Sequence, residues 1–214
     1  MALWRQLRLL VVALFVLAPS LGAAQSFDLL LKAVSRGDVK AVGELLDQGL
    51  DPNTTDGDGN SILMTASRLG HRDLAAFLIA RKASVTRRSP HGDTALMFAS
   101  LKGHLAIARL LVEHGAEVNH GGWTPVHYAA FEGGPELVKF LIEKGADKNG
   151  LAPNGFSPLM LAARSGQLEA ARALLHEDAD LKVRGPKDET ALGIARALKN
   201  AELEALLKRA GAVE

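Results

Sequence analysis

The side chains of this sequence that are best suited to metal binding are its histidines, three of which fall in one short stretch. His114, His120 and His127 are candidates for a shared site beside one predicted turn. No pair of them has the close helical spacing with which two histidines hold one zinc ion, and the sequence contains no cysteine to complete a ligand set. We therefore predict neither a bound metal nor another cofactor.

An acidic, glycine-rich loop at residues 56–60, Asp-Gly-Asp-Gly-Asn, is the second candidate for metal chemistry. A helix-loop-helix calcium site needs glycine at loop position six and glutamate at loop position twelve. Counted from Asp56, these positions hold Ser61 and Ser67. The composition of the loop is instead typical of a tight turn.

The sequence lacks the common catalytic motifs. It has no Gly-x-Ser-x-Gly nucleophile motif, no Walker phosphate loop and no dinucleotide fingerprint. We predict that the chain is not an enzyme. The alternative, an enzyme, would place a small site in the segment Gly121–Phe131, where a shortened loop leaves a notch.

The elements that must position these residues recur along the chain. Five four-residue segments are mutually equivalent, and their first residues are separated by 33, 30, 33 and 33 positions. The segments begin at Ser61, Thr94, Thr124, Ser157 and Thr190. A period in this range predicts a stack of supersecondary units, each packed on its neighbours, rather than a single globular core.

The unit from Arg88 to Asn119 shows how each repeat is expected to fold. Thr94 is the predicted N-cap of a first helix, and Gly103 ends that helix with a left-handed residue. A second helix ends at Gly115 and carries three apolar residues at helical spacing, Ile107, Leu110 and Leu111. Glycines recur at matching offsets in the other units, both at helix ends and in the predicted hairpin turns.

Two motifs give this pattern a family resemblance. Residues 124–130 read Thr-Pro-Val-His-Tyr-Ala-Ala, and residues 145–149 read Gly-Ala-Asp-Lys-Asn. Both motifs are similar to signatures of the ankyrin repeat family, which the chain resembles over residues 26–211. The resemblance implies an all-α repeat solenoid, an ankyrin stack of helix-turn-helix units joined by β-hairpin-like loops. It also implies a structural role for His127, and for His71 and His104 after helix-ending glycines.

The period divides the chain into repeats. We expect an N-terminal cap repeat at 27–54, internal repeats at 55–87, 88–120, 121–150 and 151–184, and a C-terminal cap repeat at 185–214.

Several positions depart from the family pattern. Methionine replaces the motif histidine at Met64, Met97 and Met160, and we expect these repeats to forfeit the hydrogen bonds of histidine. Lys82 and Asp178 stand where glycine would end a second helix, so those helix ends are expected to fray.

Residues 1–24 have the features of a secretory signal peptide. Arg5 and Arg8 precede an unbroken apolar run from Leu9 to Ala18, and small residues follow at 22–24. The run is shorter than the roughly 20 apolar residues of a membrane-spanning helix. We expect cleavage after Ala24, no membrane anchor thereafter, and a periplasmic or secreted ankyrin repeat domain over 25–214. In this respect the chain resembles the exported ankyrin proteins of bacteria.

The charge balance argues against one class of partner. The 25 basic and 24 acidic residues give a net charge of +1, without the basic excess of a nucleic-acid-binding protein. We expect no nucleic-acid binding, and we expect a monomer. With no cysteine, stability must come from apolar stacking between repeats.

Large apolar side chains at two repeat positions are the candidates for a partner site. Trp123 and Phe156 share the position before the helix cap, while Phe131 lies near the end of its first helix. Leu69 and Leu101 are assigned to the position of Phe131. By the ankyrin resemblance both positions look onto a concave groove, where the three aromatic residues are expected to cluster. The alternative for Trp123 is packing over its own hairpin.

Four further residues complete the expectations for this face. Lys102 and Arg164 lie on the same edge and are expected to act as rim charges that tune association. Phe98 and Tyr128 are expected to point inward into the core. The resemblance and this face together indicate a non-enzymatic module that binds another protein through the groove, in the periplasm. A structural spacer is the remaining alternative.

Overall fold

The fold is known from a computed structural model, which describes residues 22, 24–132 and 134–213. The predicted signal peptide therefore lies almost wholly outside the described residues, as does the helix-ending glycine predicted at Gly133. The described residues form helices and no β-strand, with one isolated antiparallel bridge between Thr55 and Ser61. The predicted all-α repeat solenoid is confirmed. None of the described helices is long and apolar enough to span a membrane.

The helices come in pairs, one pair to each predicted repeat. The inner helices are α1 (24–36), α3 (Ile62–Leu69), α5 (Ala95–Leu101), α7 (Pro125–Glu132), α9 (Pro158–Ser165) and α11 (Ala191–Ala197). The outer helices are α2 (Val39–Asp47), α4 (Arg72–Ala80), α6 (Leu105–Glu113), α8 (Pro135–Glu143), α10 (Leu168–His176) and α12 (Ala201–Arg209).

The pairs stack into two parallel rows. From α3 to α11 each inner helix packs on the next inner helix, and from α2 to α12 the outer helices follow each other behind them. The core repeats with the sequence, because the second residue after each inner-helix cap is buried: Leu63, Leu96, Val126, Leu159 and Leu192. On α6 the buried residues are Ile107 and Leu111, whereas Leu110 is only half-buried, so the predicted apolar face was slightly too wide.

Hydroxyl side chains begin the inner helices. The hydroxyl oxygens of Ser61, Thr94, Ser157 and Thr190 each accept the backbone N–H three residues further on, at 3.2–3.4 Å. The predicted N-cap at Thr94 is confirmed. At Ser61 the cap is reciprocal, because the sulfur of Met64 accepts the Ser61 N–H at 3.3 Å. Met64 therefore retains one hydrogen bond, contrary to the expectation for methionine at this position.

Two outer helices end without glycine and do not fray. Lys82 and Asp178 adopt positive φ angles of 69° and 56°, as Gly115 does at 90°. After Lys82, the N–H of Ala83 donates to the carbonyl of Leu78 at 2.9 Å, closing the helix as in the glycine-ended units. The prediction of fraying was wrong because these hydrogen bonds and the burial of Ala83 outweigh the left-handed penalty of about 1–2 kcal/mol.

Two ladders of side-chain hydrogen bonds tie each repeat to the next. In the first, an asparagine oxygen accepts a backbone N–H of the following repeat at 2.8–2.9 Å: Asn53 from Ser84, Asn119 from Asp147, and Asn149 from Asp180. These asparagines share one repeat position. The ladder fixes the loops that follow the outer helices.

The second ladder reaches back to the carbonyl oxygens that end the inner helices. His71 contacts Ser35, His104 contacts Arg68, and Gln167 contacts Phe131, at 3.0–3.3 Å. Since each acceptor is a carbonyl, the side-chain nitrogen is the donor. Gly134 occupies the equivalent position and has no side chain to donate, which leaves a gap in this ladder.

Candidate partner-binding groove

The ends of the inner helices present one continuous set of uncovered side chains. We call it the groove face and define it by the fourth, seventh and eighth residues after each N-cap, together with Trp123 before its cap. Its exposed and half-buried members are Thr65, Arg68, Leu69, Phe98, Leu101, Lys102, Trp123, Tyr128, Phe131, Glu132, Arg164, Ser165, Ala197 and Leu198.

Exposed large apolar residues concentrate on this face. Leu69, Phe131 and Leu198 are exposed by 44%, 43% and 55%, and each lies at the end of an inner helix. Phe131 is exposed as expected. Among the described residues, the outer helices α2, α4, α6, α8, α10 and α12 carry no exposed large apolar side chain. The remaining exposed large apolar side chains, Leu29, Leu151 and Val213, lie on α1, in a loop and near the C-terminus, so the contrast is between the groove face and the outer helices.

The predicted equivalence of Leu69 and Phe131 was wrong by one residue. The N-cap of α3 is Ser61, so the residue seven positions later is Arg68, not Leu69. Leu101 does occupy this position after Thr94. Leu69 instead corresponds to Lys102 in the next repeat. It remains on the groove face, one residue nearer the helix end.

Phe98 and Tyr128 belong to the groove face rather than to the core. Both are half-buried, because on these short inner helices the residues before and after them are the ones that face the neighbouring helices. The guanidinium carbon of Arg68 lies 5.7 Å from the ring centroid of Phe98, a cation–π contact. Tyr128 contacts Trp123 with ring centroids 5.6 Å apart.

Trp123 packs on its own repeat. Its ring meets His127 edge-on at 5.9 Å, in addition to the contact with Tyr128, and it is half-buried against the core. The ring contacts of Trp123 are with these residues and not with Phe131 or Phe156, so the expected cluster of three aromatics does not form. The alternative interpretation, packing over its own hairpin, describes the half-buried Trp123.

Phe156 is not an open groove residue. It is only 9% exposed, and the guanidinium carbon of Arg164 lies 5.2 Å from its ring centroid. The residue packs into the core, so its predicted role as an exposed contact was wrong. Arg164, in contrast, is exposed as expected for a rim charge.

A hollow of about 440 Å³ lies beside this pair of residues and was missed by sequence reasoning. Its walls also include Lys187, Ile194 and Leu198. The available signal was the repeat register, because Ile194 and Leu198 occupy the positions of Tyr128 and Leu69 in the last repeat. Because residues 185–214 were assigned as a cap repeat, these two positions were not considered as part of the groove.

The notch predicted as the alternative enzyme site contains the buried His127, and both nitrogens of its ring already have hydrogen-bond partners. Nδ1 of His127 accepts the Thr124 N–H at 3.2 Å and lies 2.7 Å from the Thr124 hydroxyl. Nε2 then carries the proton and donates to the carbonyl of Gly150 at 2.9 Å. Burial lowers the pKa of His127, opposed by the Gly150 hydrogen bond and by the charge of Asp147. The imidazole ties the start of α7 to the loop that closes the same repeat.

The notch itself is a recess of about 460 Å³. Within the described part of the chain, Nε2 of His120 is buried at its edge without a hydrogen-bond partner. The described residues contain no group of three histidine, cysteine or acidic side chains that could hold a metal ion.

The chain is similar in sequence to a known protein family and to several known proteins. The family described as ankyrin repeats (three copies) matches residues 30–121 and 118–185. Protein phosphatase 1 regulatory subunit 27 of Mus musculus is 39% identical over 85 residues, which are 38% of this chain and 55% of that protein. Ankyrin repeat and SOCS box protein 11 of Homo sapiens is 31% identical over 111 residues, 51% of this chain and 34% of that protein.

The matches thus span about half or less of these two relatives. The crystal structure of the human ASB11 ankyrin repeat domain superposes with a TM-score of 0.80 at 28% identity, covering 86% of this chain and 84% of that one. The similarity to this structure therefore extends over nearly the whole length of both chains.

Proposed function

This chain belongs to the ankyrin repeat family, and we propose that it is a non-enzymatic module that binds a partner protein through its groove face. The observation that carries the proposal is the asymmetry of the stack. Exposed apolar side chains lie on the inner side and not on the described outer helices. Repeat stacks use such elongated faces to bind proteins.

The chemistry of the face supports a protein partner. Half-buried Trp123 and Tyr128 are rigid aromatics that carry a polar N–H or O–H group, and half-buried Phe98 adds an apolar ring; aromatic side chains are enriched at protein interfaces. Arg68 is held over Phe98, and Lys102 extends from the next repeat. A partner contacting three or four repeats would cover an area of about 800 Å², which is usual for a stable complex.

The names of the relatives point in the same direction. One of them is named as a regulatory subunit of a protein phosphatase, and such a subunit acts through association with another protein. Its similarity to this chain is confined to part of each protein, so the identity of the partner is not carried over.

We further propose that the domain acts outside the cytoplasm, as an exported ankyrin protein of the bacterial type. The support is the basic head, short apolar run and small residues of segment 1–24. Amino-terminal sequencing of the protein recovered from its native cells should start at or near Gln25. Recovery of a cytosolic product that starts at Met1 would contradict export.

Site-specific photo-cross-linking in intact cells tests the groove. A photoreactive residue replaces either Lys102 on the groove face or Ala106, which is exposed on the outer helix α6. The first site lies at the end of an inner helix and the second on an outer helix of the same repeat, so the second is a matched control. A discrete adduct from Lys102 and none from Ala106 supports groove binding. Equal capture at both sites, or capture at Ala106 alone, would contradict it.

A further inference from the structure

The hollow at the C-terminal end of the groove face differs from the rest of that face in depth. It lies between α9, α11 and the loop before Thr190, and its volume is about 440 Å³. The remainder of the groove face exposes side chains that project outward, such as Phe131. A recess of this kind can accept a side chain from a partner, whereas a projecting residue has to fit into a recess on the partner.

The walls of the hollow are mainly apolar. Phe156 and Ile194 form the buried part, and Leu198 forms an exposed lip. Gly193, in the first turn of α11, leaves room because it has no side chain, and its backbone does not have a positive φ angle. An apolar group that entered here would remove Leu198 and the Phe156 edge from water, which is favourable at roughly 25 cal/mol per Å².

Two cations border the apolar walls. Arg164 is stacked on Phe156, and Lys187 stands in the loop that faces it. Within the described residues neither one has an ion-pair partner, in contrast to Arg81, which stacks on Phe77 and also pairs with Asp47 at 2.6 Å. Glu189 also lines the hollow, where its carboxylate accepts the backbone N–H of Lys187 at 2.7 Å, and these two cations and one carboxylate leave a net charge of +1.

The guanidinium of Arg164 is exposed, and a guanidinium can bind a carboxylate through two parallel hydrogen bonds. We propose that this hollow is the anchor site of the groove, and that it takes a large apolar side chain of the partner protein with an aspartate or glutamate beside it. The proposal rests on groove binding as the proposed function and adds the chemical class of the recognised segment.

The test uses the full mature chain and a phage-displayed library of short random peptides as the probe. Peptides selected on the wild type are expected to share a large apolar residue next to Asp or Glu. Their binding is then measured to Gly193→Leu, which fills the hollow from its own wall with a better helix former. It is also measured to Arg164→Gln, which removes the charge.

A matched control is available on the other side of the stack. Arg109 lies over Phe140 at 4.5 Å but belongs to α6, so Arg109→Gln removes a stacked cation without touching the groove. We expect Gly193→Leu to weaken peptide binding at least tenfold, and Arg164→Gln to abolish the preference for Asp over Asn. Arg109→Gln should leave binding unchanged, and thermal melts should show all three variants folded.

The outcomes separate this inference from the proposed function. Selected peptides that bind Gly193→Leu as well as wild type, but lose affinity for Phe131→Ala, would overturn the anchor site and leave groove binding standing. If the selected peptides bind Gly193→Leu and Phe131→Ala as tightly as the wild type, the results would contradict both the anchor site and groove binding. Failure to enrich any apolar–acidic sequence on the wild type would also overturn the anchor proposal.

Discussion

The hydroxyl of Tyr128 donates a hydrogen bond to Oδ1 of Asp93, 3.3 Å away in the preceding repeat. The bond ties two repeats together on the groove face, at the side of the ring opposite to the protein core. Burial raises the pKa of Tyr128 to about 12, and the charge of Asp93 and this hydrogen bond add to the effect. Because the chain contains a single tyrosine, this residue reports on the groove without interference.

Ultraviolet titration of the phenol gives the first prediction. The ionisation midpoint should lie near pH 12 in the wild type and fall towards the ordinary value of 10 in Asp93→Asn, which removes the negative charge. The unfolded chain in denaturant should titrate near 10 in both proteins. A wild-type midpoint at 10 would show that Tyr128 is fully solvated and that the groove face is not packed as described.

The buried ring of His127 predicts a dependence of stability on pH. Its folded pKa lies below the ordinary 6.5, so below that pH the unfolded chain binds the extra proton first. The free energy of unfolding should therefore fall as pH drops below about 6.5, by at most roughly 1.4 kcal/mol per pH unit, and stay flat above it.

The matched control is His127→Met, because methionine occupies this repeat position at Met64, Met97 and Met160. The difference in pH dependence between wild type and this variant, measured by denaturant unfolding, isolates His127. If the two curves run parallel from pH 7.5 to 5, the imidazole is not held neutral in the fold.

The sequence was sufficient to predict the local turn and cap chemistry. Thr94 caps a helix, and Gly115 ends one, because hydroxyl oxygens and positive φ angles act on neighbouring backbone groups. It was less informative where the outcome depends on tertiary contacts. Lys82 adopts the left-handed conformation without being glycine, and its one sequence signal is the buried Ala83 after it, which matches Ala146 after Gly145.

The exposure of aromatic side chains in the repeats was also difficult to predict from the sequence. Phe98 and Phe156 are both aromatic and lie near the start of their repeats, yet the first is half-open and the second is covered. The two rings occupy different positions in their repeats, four residues after the cap Thr94 and one residue before the cap Ser157. Arg164 of the same repeat lies over Phe156, and Gly193, which has no side chain, lines the hollow beside that ring.

The second ladder of side-chain hydrogen bonds has a gap at Gly134, and filling this gap should increase the stability of the protein. Gly134 has a negative φ angle, and an added Cβ would meet Leu137 at an ordinary 3.5 Å. Gly134→His should reach the end of α5 as His104 reaches Arg68 at the end of α3. We expect a gain of about 1 kcal/mol from the hydrogen bond and the stiffer unfolded chain. Gly134→Ala places a residue without a donor at this N-cap, where alanine is disfavoured, and should gain nothing from the ladder. A Gly134→His variant no more stable than Gly134→Ala would contradict the assigned register.

The next prediction is that stability is distributed along the stack, so that buried leucines in different repeats contribute similarly to it. Leu111 and Leu141 occupy equivalent buried positions on α6 and α8. Replacing either one by alanine should cost about 2–5 kcal/mol in denaturant melts. Leu110→Ala should cost clearly less, because Leu110 is half-buried. Equal losses for Leu110 and Leu111 would mean that the outer row is packed differently.

The effect of Phe131→Ala tests the central claim most directly, because Phe131 is exposed by 43% at the middle of the groove face. The variant should keep its melting temperature within a few degrees, since little buried area is lost. Capture of the protein that cross-links at Lys102 should weaken at least tenfold, as for an interface anchor. If Phe131→Ala instead unfolds the stack while its folded fraction binds normally, Phe131 is part of the core and the partner site lies elsewhere.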